Sequence, residues 1–213
     1  MKRRRALFGD QHWSVGSTYE YLAAVASGRG RPAAAESLTV LGLEIRRTAY
    51  GPRSLEVASQ LENLAFFVEA RNDTSRAIPL LRESLGIMTA VRPPTDPRII
   101  GTRRLLAIDL CATGATAEGD SVIRTAIAAT PLDSTRALPY RVRSVLGFCL
   151  TRGRRFVEAE PLLLEAEKRL GALPEKPAAT FRNQTVGWLA GLYDQWGKAD
   201  QAAVWRERIK AQP

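Results

Sequence analysis

The chain alternates apolar stripes of helical period with short polar breaks. From Val57 to Val68 the apolar side chains step by four, three, one and three residues, which places them on one face of an α-helix. A second stripe of this kind runs from Ala77 to Met88, after a break at Asn72-Asp73, whose short polar side chains compete for helical backbone hydrogen bonds. No stretch keeps a period of two over the length of a strand, so the pattern predicts an all-α protein.

A proline-rich segment ends this pair of helices. Residues 92–97 read Arg-Pro-Pro-Thr-Asp-Pro. Proline cannot continue a helix, and it also restricts the residue before it. Residues 51–92 are therefore predicted to form one helix–turn–helix unit.

This unit recurs along the chain at intervals of about 42 residues. A shift of 42 aligns residues 9–50 with 51–92, and further shifts of 42, 40 and 43 reach three more copies. In every copy a small residue follows a Leu, and a second small residue stands twelve positions later. The five pairs are Ala23/Ala35, Ala65/Ala77, Ala107/Gly119, Gly147/Ala159 and Ala190/Ala202. Short side chains at both positions let two helices cross closely.

These features resemble the tetratricopeptide repeat, which has an apolar–small pair in its first helix and a small residue twelve positions on. The 42-residue spacing, and Leu61-Glu62-Asn63-Leu64-Ala65 where that type has Leu-Asn-Asn-Leu-Ala, are similar to the kinesin-light-chain type. The end of the chain, with Trp196, Ala202 and Trp205, resembles the arrays attached to bacterial serine/threonine protein kinases. The resemblance implies a right-handed superhelical solenoid of about five repeats, or about ten antiparallel helices.

The alignment also predicts the organisation of the chain. Arg4 to Gly9 align with Arg46 to Gly51, so the basic N-terminus is predicted to be the tail of a preceding repeat helix. The predicted segments are this tail at 1–8, repeats at 9–50, 51–92, 93–132 and 133–174, and a fifth repeat with a C-terminal cap at 175–213.

The charge is concentrated rather than spread. The chain has 31 Lys and Arg against 22 Asp and Glu, and residues 92–155 hold 11 Arg against 5 acidic residues. This Arg content has two interpretations. It reflects the composition of a GC-rich genome, or its Arg forks bind carboxylate or phosphate groups. Single-stranded nucleic acid would require aromatic residues interleaved with the basic ones, and the stretch has only Tyr140 and Phe148. Nucleic acid is therefore not the expected partner.

The sequence offers no set of residues for catalysis or metal binding. His12 is the only histidine and lies in a predicted loop, so we expect a structural role for it. Cys111 and Cys149 lie on first helices, where we expect separate buried thiols in a reducing, cytoplasmic setting. Gly28 to Arg31 is predicted to be a turn. No cofactor, metal or membrane span is expected.

The resemblance implies that one face of the first helices, the concave face of the array, binds a partner. We call it the partner face, and it comprises Glu20, Glu62, Asn63, Phe66, Glu69, Arg104, Ile108, Arg141 and Phe148. The acidic residues precede the basic ones, which predicts an acidic partner segment over repeats three and four. Its large apolar residues either dock the partner or contact the neighbouring repeat.

The predicted function is a protein-interaction scaffold that binds a peptide or helix and has no catalysis of its own. One alternative is the C-terminal sensory or substrate-recruiting region of a bacterial serine/threonine protein kinase. A second is a nucleic-acid-associated transcriptional regulator, which a steep salt dependence would reveal. Self-association is a further expectation, since a first repeat without its neighbour leaves apolar surface open.

Overall fold

The computed structural model describes residues 2–133, 135–174 and 176–210, and within these ranges it contains eleven α-helices and no strand. The helices are α1 Lys2–Phe8, α2 Trp13–Gly28, α3 Pro32–Tyr50, α4 Leu55–Glu69, α5 Thr74–Thr89, α6 Pro97–Ala112, α7 Thr116–Ala128, α8 Leu138–Arg152, α9 Phe156–Ala172, α10 Lys176–Trp196 and α11 Ala199–Lys210. The all-α prediction is confirmed.

The chain divides into two compact units, one up to Thr102 and one from Arg103 onward. In the N-terminal unit α2 packs on α3, α4 packs on α5, and α3 packs on α4. In the C-terminal unit α8 packs on α9 and α10 on α11, while α7 contacts α8 and α9 contacts α10. Each unit is thus built from helix pairs that pack on the next pair in sequence.

The predicted turns have the local chemistry that ends one helix and starts the next. Nδ1 of His12 accepts a hydrogen bond from the backbone N–H of Ser14 at 3.3 Å, so this residue caps α2 and its structural role is confirmed. Gly30 has a positive φ of 69° in the turn between α2 and α3. Asn72 has a φ of 62°, and Asp73 caps α5 by accepting from the N–H of Arg76.

The small residues lie at the helix crossings, as predicted. All eight alanines of the five pairs are at most 5% exposed. Where glycine replaces alanine the helices leave no room for a larger residue. A Cβ on Gly147 of α8 would lie 2.7 Å from Cγ of Leu163 in α9, and a Cβ on Gly119 would collide with Sγ of Cys111.

An acidic residue that follows the small residue of the second helix bonds to the next repeat in three copies. Glu36 accepts from Arg71 at 2.6 Å and from Arg76 at 2.8 Å. The corresponding Asp120 pairs with Arg155 at 3.1 Å, and the corresponding Glu160 accepts from the Tyr193 hydroxyl at 2.8 Å. Sequence analysis missed these contacts, which join successive helix pairs within each unit.

The Glu36 contacts predict a pH dependence of stability. Burial raises the pKa of Glu36, but the hydrogen bonds and charges of Arg71 and Arg76 outweigh it, so the folded-state pKa is lowered. The contribution to stability is therefore present above the unfolded-state pKa of about 4.3 and is lost as the pH falls through the folded-state value. We expect Glu36→Gln to reduce the loss of stability on acidification, as measured by urea unfolding between about pH 7 and pH 3.

The control for this prediction is Glu165→Gln, which removes an exposed carboxylate paired with one arginine, Arg169. Such surface pairs contribute little to stability. On acidification this variant should therefore lose as much stability as the unaltered protein does. An equal loss of stability on acidification in Glu36→Gln and in the unaltered protein would contradict the prediction.

The structure corrects the prediction made for the two cysteines. Cys111 of α6 and Cys149 of α8 are both buried, as expected, but they form a disulfide with a Cα–Cα distance of 5.2 Å. The prediction of separate thiols is therefore wrong. Disulfides persist mainly in oxidising compartments, so the disulfide argues against the reducing setting on which the cytoplasmic prediction was based.

The residues before α2 form a helix with the same ending as α3. α1 stops at Phe8 and is followed by Gly9 with a φ of 80°, and α3 stops at Tyr50 and is followed by Gly51 with a φ of 84°. The assignment of residues 1–8 to a preceding repeat, and the boundaries of the repeats, stay predictions. Among the described residues no helix combines the length and apolar character that a bilayer crossing demands.

Candidate partner-binding face

The acidic residues of the partner face bond within the N-terminal unit. The carboxylate of Glu20 on α2 accepts from Arg46 at 2.5 Å and from the Asn63 side chain at 3.4 Å. Glu62 accepts a hydrogen bond from the hydroxyl of Thr102. Glu69 is half-buried at the end of α4. Much of this negative charge is thus already used to position neighbouring helices.

The exposed part of the face in this unit is aromatic and polar. Phe66 is 60% exposed and makes an edge-to-face contact with Phe67, whose ring centroid is 5.4 Å away. Asn63 is also exposed. Tyr21 is 70% exposed, and it stands 42 residues before Asn63, so that it holds the same position one repeat earlier. Sequence analysis missed Tyr21, although the repeat alignment was the signal that could have found it.

In the C-terminal unit the two predicted arginines share one aromatic ring. The guanidinium carbon of Arg141 on α8 lies 3.2 Å from the ring centroid of Phe181, and that of Arg104 on α6 lies 5.8 Å from it. Both distances fall within the range of cation–π contacts. The structure therefore brings Arg104 and Arg141 together and adds Phe181 of α10, which the sequence did not assign to the partner face.

The surroundings of Arg141 disfavour its positive charge. Burial of the side chain and the nearby charge of Arg104 lower the pKa of Arg141 to about 10. The buried Nε atom of Arg141 has no hydrogen-bond partner in the described part of the chain. A bound anion would reduce the repulsion between the two arginines and so favour the charged form of Arg141.

The predicted apolar residues of this unit are partly covered. Phe148 is half-buried and stacks on Trp188 of α10, with ring centroids 5.0 Å apart and an interplanar angle of 24°. Phe148 therefore follows the alternative interpretation, contact with the neighbouring repeat. Ile108 is half-buried on α6. Sequence analysis missed Trp188, because the repeat alignment did not place it on the face.

Two glycines leave the backbone of α10 open near this stack. A Cβ added to Gly187 or to Gly191 would meet no atom within 4 Å. A ligand could therefore approach the helix closely beside Trp188. Within the described residues there is no group of three or more His, Cys, Asp or Glu that could hold a metal ion.

Comparison with known proteins places the fold. Residues 15–56 match the profile of a tetratricopeptide repeat family. A search of curated proteins finds no match to the sequence. A Podosopora anserina protein described as a kinesin light chain with nearly identical TPR-like repeats is 19% identical, with a TM-score of 0.73 over 94% of this chain and 95% of its own.

Two further solved structures are similar as well. BtubC (BKLC) from P. vanneervenii is 17% identical, with a TM-score of 0.72 over 98% of this chain and 84% of its own. A Rap protein complexed with Competence and Sporulation Factor is 16% identical, with a TM-score of 0.70 over 90% of this chain and 52% of its own. The chain thus contains a tetratricopeptide repeat, and its fold is that of the kinesin-light-chain-like tetratricopeptide-repeat proteins.

Proposed function

We propose that the chain is a protein-interaction module that binds a peptide or helix of a partner on its first helices, with no catalysis of its own. The observation that carries the proposal is the cluster of Arg104, Arg141 and Phe181, which presents two cations on one aromatic ring. Exposed Tyr21 and Phe66 supply apolar contact area in the N-terminal unit.

The comparison with the Rap protein supports this proposal at the level of fold. That protein was crystallised with Competence and Sporulation Factor, so a chain of this fold binds a factor. Large aromatic side chains and Arg are also the residue types that contribute most to binding at protein interfaces. Both arguments favour recognition of a protein or peptide partner.

The test is charge reversal at the arginine cluster. Partners captured from the source cell by the unaltered protein would be identified by mass spectrometry, purified and measured directly. We expect Arg104→Glu combined with Arg141→Glu to weaken binding by more than about tenfold, because reversal replaces attraction by repulsion of the acidic segment.

The control reverses the same amount of charge away from the cluster. Arg53 and Arg136 are exposed and lie outside the helices, so Arg53→Glu with Arg136→Glu should leave the affinity within about threefold. An unchanged affinity in the Arg104/Arg141 variant, with the fold intact by circular dichroism, would overturn this placement of the partner.

The other expectations stay predictions. No observation favours the kinase-associated region or the nucleic-acid-associated regulator over the interaction module. Cytoplasmic localisation is kept as a prediction, against which the disulfide argues. Exposed Leu7 and Phe8 beside α2 are the apolar surface that self-association would use.

A further inference from the structure

Arg141 differs from the ion-paired arginines of the C-terminal unit. Those hold a carboxylate within ion-pair distance, namely Arg124 and Arg155 with Asp120, Arg169 with Glu165, Arg182 and Arg208 with Glu167, and Arg206 with Asp194. Arg141 has no such partner among the described residues, and its guanidinium group instead lies 3.2 Å from the centroid of the Phe181 ring. The Phe181 ring thus positions the guanidinium group of Arg141, and the buried Nε of Arg141 has no hydrogen-bond partner among the described residues.

The charge around Arg141 indicates what would bind there. Arg104 shares the same ring, so the site holds two positive charges that repel one another. An apolar wall next to a charge weakens screening by water and strengthens attraction to an anion. Each guanidinium group presents N–H donors in a fork that matches two oxygens of a carboxylate or a phosphate.

The number of charges favours one kind of anion. A carboxylate carries one negative charge and two oxygens, so one arginine fork satisfies it. A phosphate monoester carries about −1.5 to −2 charges near pH 7 and has three acceptor oxygens. The second therefore matches a site that holds two positive charges better than the first does.

We propose that Arg104, Arg141 and Phe181 form a binding site for a phosphate monoester dianion, carried by the partner as a phosphorylated side chain. This inference rests on the proposed function, since it names the chemistry of the partner segment that the same face would recognise. Phe181 fixes the Arg141 fork, and Arg104 supplies the second charge.

The test uses two small probes with the same ring and different anionic groups. Phenyl phosphate and benzoate would each be titrated into the full chain, with binding followed by the arginine side-chain N–H signals in NMR spectra. At pH 7.5 we expect phenyl phosphate to bind at least about tenfold more tightly than benzoate. Phenyl phosphate should weaken by at least about threefold at pH 5, because its second proton returns near pH 6. Benzoate affinity should change little, since benzoate is charged at both values.

Three variants assign the site. Arg141→Gln should weaken phenyl phosphate by at least about tenfold, and Arg141→Lys should give an intermediate loss because it keeps the charge without the fork. The matched control Arg124→Gln removes an arginine that is paired with Asp120 and should leave the probe affinity unchanged. If Arg141→Gln does not fold, Arg104→Gln serves in its place, with the same expected loss.

The outcomes separate this inference from the proposed function. Equal affinities for the two probes, no binding of phenyl phosphate, or binding that Arg141→Gln leaves intact would each overturn the phosphate site. If partner binding were still lost in the Arg104/Arg141 charge reversal, the interaction face would stand with a carboxylate ligand. If phenyl phosphate bound as expected while partner binding survived the reversal, the proposed function would fail instead.

Discussion

Reduction of the Cys111–Cys149 disulfide is expected to lower the free energy of unfolding of the C-terminal unit by about 4 kcal/mol. The bond joins α6 and α8 across 38 residues of sequence. In the chain-entropy description, a cross-link of this span removes that much freedom from the unfolded chain. Both cysteines are buried, so the bond also holds two helices at a fixed spacing in the core.

The measurement is urea unfolding followed by tryptophan fluorescence, with and without dithiothreitol. Trp188, Trp196 and Trp205 lie in the C-terminal unit and only Trp13 lies in the other, so the signal reports mainly on the unit that holds the disulfide. A shift of the unfolding midpoint to lower urea is the expected result.

The control separates the cross-link from the packing of the two sulfurs. Cys111→Ala with Cys149→Ala should match the reduced protein to within about 1–2 kcal/mol, and its midpoint should not respond to the reductant. Two free thiols in the untreated protein, found by alkylation and mass spectrometry, would contradict the disulfide. A urea unfolding midpoint that stays the same after reduction would contradict the predicted contribution of the disulfide to stability.

The fold followed from the sequence because its determinants are local and repeated. Each Leu–small pair and the small residue twelve positions later lie within one helix pair, so a single copy contains the information for one crossing. Asp73 and His12 act on the helix that begins next to them, and their roles are set by neighbours in sequence. Because the pattern of small residues recurs in five copies, it can be distinguished from a chance match.

The chemistry of the partner face was harder to predict, because it depends on contacts between helices far apart in sequence. Glu20 bonds to Arg46, and Arg141 lies on Phe181, which is 40 positions away. The helical period indicates which face a residue shares but not which residue of the next helix it reaches. The disulfide was missed for the same reason, since nothing near Cys111 indicates the residue that α8 places beside it.

Gly147→Val is expected to destabilise the C-terminal unit by about 3 kcal/mol through overpacking at the crossing of α8 and α9. Even the first added carbon would lie 2.7 Å and 2.9 Å from Cγ and Cδ2 of Leu163 and 3.3 Å from the carbonyl oxygen of Ala159. Leu163 is 0% exposed, so its side chain cannot move aside without displacing other core residues. Urea unfolding followed by circular dichroism at 222 nm measures the loss.

Two further variants show whether the clash is the cause. Gly187→Ala places a methyl group on α10 where no atom lies within 4 Å, so it should stabilise the unit by about 0.5–1 kcal/mol through helix propensity alone. Gly147→Val combined with Leu163→Ala should cost less than the sum of the two single changes, because the shortened side chain makes room for the added one. Strict additivity would show that Leu163 is not the obstacle, and a neutral Gly147→Val would show that the helices can separate without loss. The small residue is therefore expected to act by setting the distance between two helices, and the same reasoning applies at each of the other four crossings.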